Sequence, residues 1–133
     1  MIKLLTEKEF GEIRQFPSYE NYREQVRQQN RLTLEGIVIA ITTVLKDRIP
    51  PDWLSVNTRQ QDVMFARHYG RYIAHQFTKI NDIDIARTFG GRDRTVVYNT
   101  LKVITTVQAG SPDHPRILEL NKILDYLNES YND

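Results

Sequence analysis

Cationic and hydrogen-bonding side chains recur at helical spacing a little past the middle of the chain. They are Arg94, Thr95, Tyr98, Asn99 and Lys102. Side chains of these types can bind the phosphates and the base edges of a nucleic acid. The opposite side of the same predicted helix is apolar and consists of Val97, Leu101 and Ile104, at i, i+4 and i+7. This helix would therefore bury one face in a core and present a cationic face outward.

A short helix and a glycine turn precede this face and must position it. An apolar stripe ends the short helix and is formed by Ile85, Ala86 and Phe89. Gly90 and Gly91 then allow a sharp turn, because glycine reaches positive φ without steric cost. Asp93 is a good N-cap for the second helix, since its carboxylate can accept from free N–H groups of the first turn. The pattern predicts a helix-turn-helix that binds double-stranded DNA.

The remainder of the chain also has helical patterns, which predict an all-α fold with extra N-terminal helices. Thr6 and Ser18 are suited to cap two helices before residue 31, and Thr33 is suited to cap a third. The third helix would bury a stripe of Leu34, Ile37, Val38, Ile41 and Leu45. The pair Pro50-Pro51 ends that helix, and Trp53-Leu54 is expected to anchor the connection that follows.

Two further helices flank the helix-turn-helix. A long amphipathic helix is predicted from Thr58 or Gln60 to Phe77, and its buried side would consist of Met64, Tyr69, Ile73 and Phe77. The segment from Ala109 to Pro115 is expected to be a loop, because it combines glycine, serine, aspartate and two prolines. A closing helix from Arg116 to Tyr131 would bury Ile117, Leu120, Leu124 and Leu127.

Charge is unevenly distributed along the 133 residues, although the net charge is only +1. Eight basic and four acidic residues give residues 54–108 a net charge of +4, whereas residues 109–133 carry −3. Positive charge therefore collects around the predicted helix-turn-helix, where contact with phosphates would need it. The absence of cysteine excludes disulfides and thiolate sites. The three histidines have no metal-ligand spacing, so we expect no metal, no cofactor and no enzyme activity.

Neither a membrane span nor a signal peptide is predicted. The longest apolar run, Gly36 to Leu45, is about half of the roughly 20 residues that a membrane helix needs. The N-terminal residues become acidic too early for a signal peptide. We therefore expect a cytoplasmic protein associated with the nucleoid.

The segment from Leu54 to Ile104 resembles the C-terminal DNA-binding domain of the bacterial replication initiator DnaA. A hallmark string of that family, Phe-Gly-Gly-Arg-Asp-His-Thr-Thr-Val, corresponds here to Phe89-Gly-Gly-Arg-Asp-Arg-Thr-Val-Val97. An upstream Arg-Gln-x-Ala-Met-x-Leu string is matched loosely by Arg67-His-Tyr-Gly-Arg-Tyr-Ile73, with no gap in between. With the flanking helices the resemblance covers residues 35–130. It implies a DnaA-like domain over residues 35–133 and an N-terminal helical extension over residues 1–34.

The resemblance also implies roles for individual residues. It places Asp93, Arg94, Thr95 and Val96 on base edges in the major groove. There an aspartate can accept from cytosine, an arginine can bind guanine through two bonds, and a valine can contact the thymine methyl group. Capping remains an alternative role for Asp93. Arg59 corresponds to a minor-groove arginine of the family, with a solvated surface arginine as the alternative.

Other residues are assigned to the DNA backbone or to the outer face of the second helix. The backbone set implied by the resemblance is Arg67, His75, Thr78 and Lys79. Arg92 is suited either to bind phosphate or to brace the turn. Asn99 and Lys102 complete the DNA-facing set on the predicted helix.

Departures from the family pattern predict altered binding. The loop from Val56 to Asp62 keeps one arginine and adds an aspartate, where the family has several basic residues. Each lost phosphate contact removes roughly 0.9 from the salt slope, so we expect weaker affinity. Arg94 and Val96 replace a histidine and a threonine, so the preferred sequence is expected to differ from a standard DnaA box.

No Gly-x-x-x-x-Gly-Lys-Ser/Thr string is present, and there is no room for an ATPase module, so no nucleotide is expected to bind. The leading hypothesis is a stand-alone accessory or regulatory factor in replication initiation or transcription. It would bind duplex DNA in a sequence-specific way. The alternative is a protein–protein interaction module, in which Tyr19, Tyr22 and the N-terminal helices bind a protein partner.

Overall fold

The computed structural model describes residues 32–131, and this part of the chain consists of helices without any strand. The five helices are α1 (Leu34–Leu45), α2 (Gln61–Phe77), α3 (Asp82–Thr88), α4 (Thr95–Gly110) and α5 (Pro115–Tyr131). The predicted all-α class is therefore confirmed. The helices predicted at Thr6 and Ser18 lie outside the described residues, as do Tyr19 and Tyr22.

Helix α1 begins and packs as its sequence predicts. Thr33 is the N-cap, and its hydroxyl oxygen accepts from the Gly36 N–H at 2.9 Å. The predicted stripe faces the core: Ile37, Ile41 and Leu45 are buried, and Leu34 and Val38 are partly buried. After α1, Trp53 anchors the connection to α2. Its ring is 1% exposed, and its Nε1 donates to the Thr42 hydroxyl at 3.0 Å.

Helix α2 is the central element of the domain, because it contacts each of the other four described helices. Tyr69, Ile73 and Phe77 are fully buried on it, as predicted. The prediction for Met64 is wrong, since this side chain is 38% exposed. Met64 precedes Tyr69 by five residues, which places it about 140° around the helix. Val63 takes the core-facing position in that turn.

Four charged side chains join the C-terminal end of α1 to α2 and α5. Asp62 accepts from Arg48 at 2.9 Å and from Arg116 at 2.8 Å. Glu119 also binds both arginines, and it accepts from the Tyr69 hydroxyl at 2.7 Å. Hydrogen bonds from Arg48 hold the pKa of Asp62 below its usual value. The acidic residue of the predicted DNA-binding loop is thus compensated within the protein.

The loop between the last two helices is shorter than predicted. Helix α4 continues through Gly110, because the Ser111 N–H still donates to the Val107 carbonyl at 3.0 Å. Only residues 111–114 separate it from α5. The predicted apolar stripe of α5 is buried and comprises Ile117, Leu120, Leu124 and Leu127. Of the helices described here, none is both long and apolar enough for a transmembrane segment.

Candidate nucleic-acid interface

The glycine turn is closed by a hydrogen bond that spans the end of α3. Gly90 has a φ of +86°, the left-handed conformation that favours glycine. The Gly91 N–H then reaches back to the Ala86 carbonyl at 2.7 Å. This is the 6→1 bond of a Schellman motif, with Phe89 as the C-cap residue. The turn therefore has a defined geometry and directs the chain from α3 into α4.

Gly91 is required for a different reason from Gly90. It does not have a positive φ, so of the two glycines in the predicted turn only Gly90 uses the left-handed conformation. A Cβ atom at Gly91 would overlap the Cγ2 methyl of Val96 and lie 3.1 Å from the Ala86 carbonyl oxygen. Only glycine lets the first turn of α4 approach the end of α3 this closely.

Replacing Gly91 by Ala is expected to lower the free energy of unfolding by about 1–3 kcal/mol, because the added methyl overpacks the turn. Urea denaturation measures the change. The cost should be smaller in a Val96→Ala background, where the overlapping methyl is absent. Gly110→Ala is the matched control, since a Cβ there meets nothing within 4 Å. An equal cost of Gly91→Ala in both backgrounds would contradict this explanation.

Asp93 caps the first turn of α4. Its Oδ1 accepts from the Thr95 N–H at 2.8 Å, so the predicted contact with the first turn is present, although the N-cap position lies one residue later than predicted. The helix begins at Thr95, and Arg94 occupies the N-cap position without a side-chain capping bond. Hydrogen bonds from Thr95 hold the pKa of Asp93 below its usual value. The carboxylate is therefore ionised at neutral pH, and it lies exposed at the start of the helix.

The outer face of α4 is exposed, as the helical spacing predicts. This face consists of Arg94, Thr95, Tyr98, Asn99 and Lys102. On the inner face Val97 and Ile104 are buried, and Leu101 is partly buried. Within residues 32–131, neither Arg94 nor Lys102 forms an ion pair. Both cationic groups are therefore available to an external anion.

The remaining backbone-contact candidates have different surroundings. Lys79 and Arg92 are exposed, one just after α2 and the other in the glycine turn. His75 is partly buried, and its Nδ1 lies 3.0 Å from a carboxylate oxygen of Asp82, the first residue of α3. Thr78 is only 3% exposed, and its hydroxyl donates to the Ala74 carbonyl at 2.6 Å. The structure thus brings Lys79 and Arg92 to the surface but not the Thr78 side chain.

Arg67 mainly contacts the protein itself, which its assignment as a DNA-backbone contact did not anticipate. It is half-buried, and its Nε donates to the Trp53 carbonyl at 3.0 Å. Its Nη2 donates to the Val56 carbonyl at 2.6 Å. Arg67 therefore holds the connection that leads to Arg59, which is exposed. This role could not be predicted from the sequence, because an arginine in a helix is usually exposed to solvent.

A buried polar cluster beneath the turn was missed by the sequence analysis. Arg71 is 9% exposed, and its Nη2 donates to the Phe89 carbonyl at 2.6 Å. Its Nη1 lies 3.4 Å from the hydroxyl oxygen of Thr100, which is 2.8 Å from Nδ1 of His68. Burial lowers the pKa of Arg71 to about 10 and that of His68 to about 4. The sequence signal that could have revealed this cluster is the departure from the family string, which has methionine at the position of Arg71.

Neither this cluster nor the charged groups around Glu119 forms a metal site. Within the part of the chain that the structure describes, no group of three or more His, Asp or Glu side chains is placed to hold a metal ion. Cationic and polar side chains of α4 and its turn are exposed and chemically suited to bind a ligand.

Comparison with known proteins gives a consistent family match. Residues 39–104 match the family described as bacterial DnaA protein helix-turn-helix. The chromosomal replication initiator protein DnaA of Bdellovibrio bacteriovorus is 28% identical over 91 residues, covering 68% of this chain and 19% of that protein. DnaA of Borrelia duttonii is 26% identical over 121 residues, or 90% of this chain and 23% of the relative. DnaA of a Nostoc species is 33% identical over 79 residues, or 57% and 17%.

The chain thus spans between 17% and 23% of the length of these three relatives. No solved structure shows a significant match. The matched segment contains α2, α3, the glycine turn and the first ten residues of α4. Over residues 39–104 the chain therefore belongs to the family of bacterial DnaA helix-turn-helix domains.

Proposed function

We propose that this protein binds double-stranded DNA in a sequence-dependent way through the exposed face of α4. It would act as an accessory or regulatory factor in replication initiation or transcription. The observation that carries the proposal is the exposed cationic face of a helix that starts directly after the glycine turn, within a DnaA-type helix-turn-helix. A helix of this kind contacts base edges with its N-terminal residues in the major groove.

The contacts divide between base edges and the DNA backbone. Arg94 is the strongest candidate for a base contact, because it is exposed and forms no ion pair within residues 32–131. Asp93 and Thr95 lie beside it, and both can bind bases. Val96 is half-buried against Gly91, so only part of its side chain can meet a thymine methyl group.

Phosphates would be bound by exposed cations that surround the base-reading residues. Lys79 and Arg92 lie before and after α3, and Lys102 lies farther along α4. Arg59 is exposed on the connection that Arg67 holds, and we assign it to the adjacent minor groove, as the family resemblance implies. Because Asp62 is compensated by Arg48 and Arg116, the connection is less repulsive to phosphate than its sequence suggests.

Lys79→Ala should weaken binding to every duplex alike and reduce the magnitude of the salt slope by about 0.9, the value for one lost phosphate contact. Fluorescence anisotropy across a salt series measures both quantities. Lys46→Ala is a matched control, because Lys46 is an exposed lysine at the end of α1, outside the proposed interface. A salt slope that is the same for Lys79→Ala and for wild type would remove Lys79 from the interface.

One experiment tests the proposed function itself. The full chain is titrated with a DnaA-box duplex, a scrambled duplex and single-stranded DNA at several salt concentrations. We expect a preference for duplex, a steep dependence on salt, and tighter binding to a subset of sequences. Flat titrations at low salt would overturn the proposal and favour the alternative of a protein–protein interaction module.

Binding to sites that resemble DnaA boxes would make the chain a competitor of an initiator. Two helix-turn-helix domains of one family cannot place their recognition helices in the same segment of major groove at once. We therefore propose regulation by site occupancy. The test is displacement of a purified DnaA from a labelled box duplex by increasing amounts of this chain. Simultaneous binding without displacement would exclude this mechanism.

A further inference from the structure

Phe89, the last residue before the glycine turn, contacts two consecutive residues of α2, Gly70 and Arg71. Its ring packs directly on Gly70, where an added Cβ would lie about 2.6 Å from the Phe89 Cζ atom. The ring also stacks on Trp53, with 6.3 Å between ring centroids. Its carbonyl oxygen accepts from Arg71 at 2.6 Å. The point from which the turn departs is thus fixed by a ring contact and by a hydrogen bond to a cation.

The same arginine also contacts α4. Arg71 donates from Nη1 to the Thr100 hydroxyl oxygen at 3.4 Å. Since a hydroxyl that accepts one bond can still donate its proton, Thr100 can donate to Nδ1 of neutral His68, 2.8 Å away. Thr100 is fully buried and lies five residues after the first residue of α4. The guanidinium therefore joins the end of α3 to the buried side of α4.

Arg71 is not required simply to fill space in the core. A buried cation loses its hydration, and its Nε has no hydrogen-bond partner within the described residues. The family string has methionine at this position, so an apolar side chain of similar length is compatible with such a fold. What arginine adds is a planar group that donates in two directions at once.

We propose that Arg71 is a positioning residue that sets sequence discrimination. By holding the Phe89 carbonyl and Thr100 from beneath, it fixes the turn, and hence Asp93 and Arg94, relative to the axis of α4. Base-reading bonds depend on this geometry, whereas contacts from flexible lysines to phosphates do not. The inference rests on the proposed DNA binding and specifies which buried residue controls its selectivity.

The test compares Arg71→Met with wild type on two duplexes, a preferred sequence selected by wild type from a random pool and its scrambled form. We expect the ratio of the two Kd values to fall about tenfold, the size of one lost base-reading pair. The Kd for the scrambled duplex and the salt slope should stay within about twofold, because no surface cation is removed. The chain should stay folded, because the loss of the donor to the Phe89 carbonyl is partly offset by the removal of a buried, dehydrated cation.

Hydrogen exchange and two further variants separate positioning from a general structural role. Amides of residues 90–95 should exchange faster in free Arg71→Met, whereas those of α5 should not. Arg71→Lys should recover part of the discrimination, because an ammonium keeps the charge without the two-way geometry. Arg87→Met is the matched control at an exposed arginine of α3 and should match wild type.

The outcomes distinguish this inference from the proposed function. A wild-type chain that binds no duplex overturns the proposed function. A wild-type chain that discriminates, together with folded Arg71→Met that discriminates equally, overturns only the inference about Arg71. A wild-type chain that binds all duplexes equally overturns both the inference about Arg71 and the sequence dependence in the proposed function, while leaving duplex binding itself intact. If Arg71→Met fails to fold, Thr100→Val replaces it, because this variant removes one acceptor of Arg71 and keeps the bond to Phe89. Wild-type discrimination in both Thr100→Val and Arg71→Lys would then overturn the inference about Arg71.

Discussion

Arg94→Ala should remove most of the preference for one duplex sequence over another. A bidentate contact between arginine and guanine contributes about 1–3 kcal/mol of discrimination, which is roughly a 5- to 150-fold ratio of Kd values. Arg94 is exposed at the start of α4, and its side chain forms no capping bond. The substitution therefore removes the proposed DNA contact without removing a capping bond within the fold. Anisotropy titrations with preferred and scrambled duplexes measure the ratio.

The stability of Arg94→Ala provides the control for this prediction. Because its side chain makes no capping bond, Arg94→Ala should leave the urea midpoint unchanged. A loss of affinity that is equal for both duplexes would assign Arg94 to a phosphate instead of a base edge. Unchanged affinity for both would remove it from the interface, even if the chain binds DNA.

Acidification from pH 6.5 to pH 4 should lower the free energy of unfolding by up to about 3 kcal/mol through His68 alone. Burial, and secondly the charge of Arg71, lowers the pKa of His68 from 6.5 to about 4. Between these values the unfolded chain binds a proton that the folded chain does not. The contribution of neutral His68 to the free energy of unfolding is therefore complete above pH 6.5, and it is lost progressively as the pH falls to 4.

The variant His68→Gln isolates this effect, because an amide can bind the Thr100 hydroxyl at every pH. Its unfolding free energy, measured in urea at half-unit steps, should vary much less between pH 6.5 and 4 than that of wild type. His114→Gln, at an exposed histidine, should keep the wild-type profile. If the His68→Gln profile falls as steeply as that of wild type, other groups cause the acid sensitivity.

The helices and the exposed face could be predicted because they follow from local periodicity. Val97, Leu101 and Ile104 recur at helical spacing, so one side of α4 had to face the core and the other solvent. Thr33 and Asp93 cap helices through contacts within three residues, which a sequence also reveals. These features need no knowledge of how the helices pack.

Contacts between distant elements could not be predicted in the same way. Arg67 and Arg71 resemble solvated helical arginines in sequence, yet each donates to a carbonyl 11 to 18 residues away. Asp62 reads as a repulsive charge in a DNA-binding loop, but Arg116 compensates it from 54 residues away. Thr78 appeared to be a surface candidate, and its burial follows from the way α2 ends.

The central position of α2 has a consequence for the thermodynamics of complex formation. The segment that carries Arg59 is held to α2 by Arg67, and the turn before α4 is held to it by Arg71. The two surfaces that we propose to contact DNA are consequently both held on α2 before any duplex arrives. Association then immobilises side chains but little backbone, so the conformational entropy penalty is small. Calorimetry should accordingly give a heat-capacity change close to that of rigid-body docking, without the larger value of coupled folding.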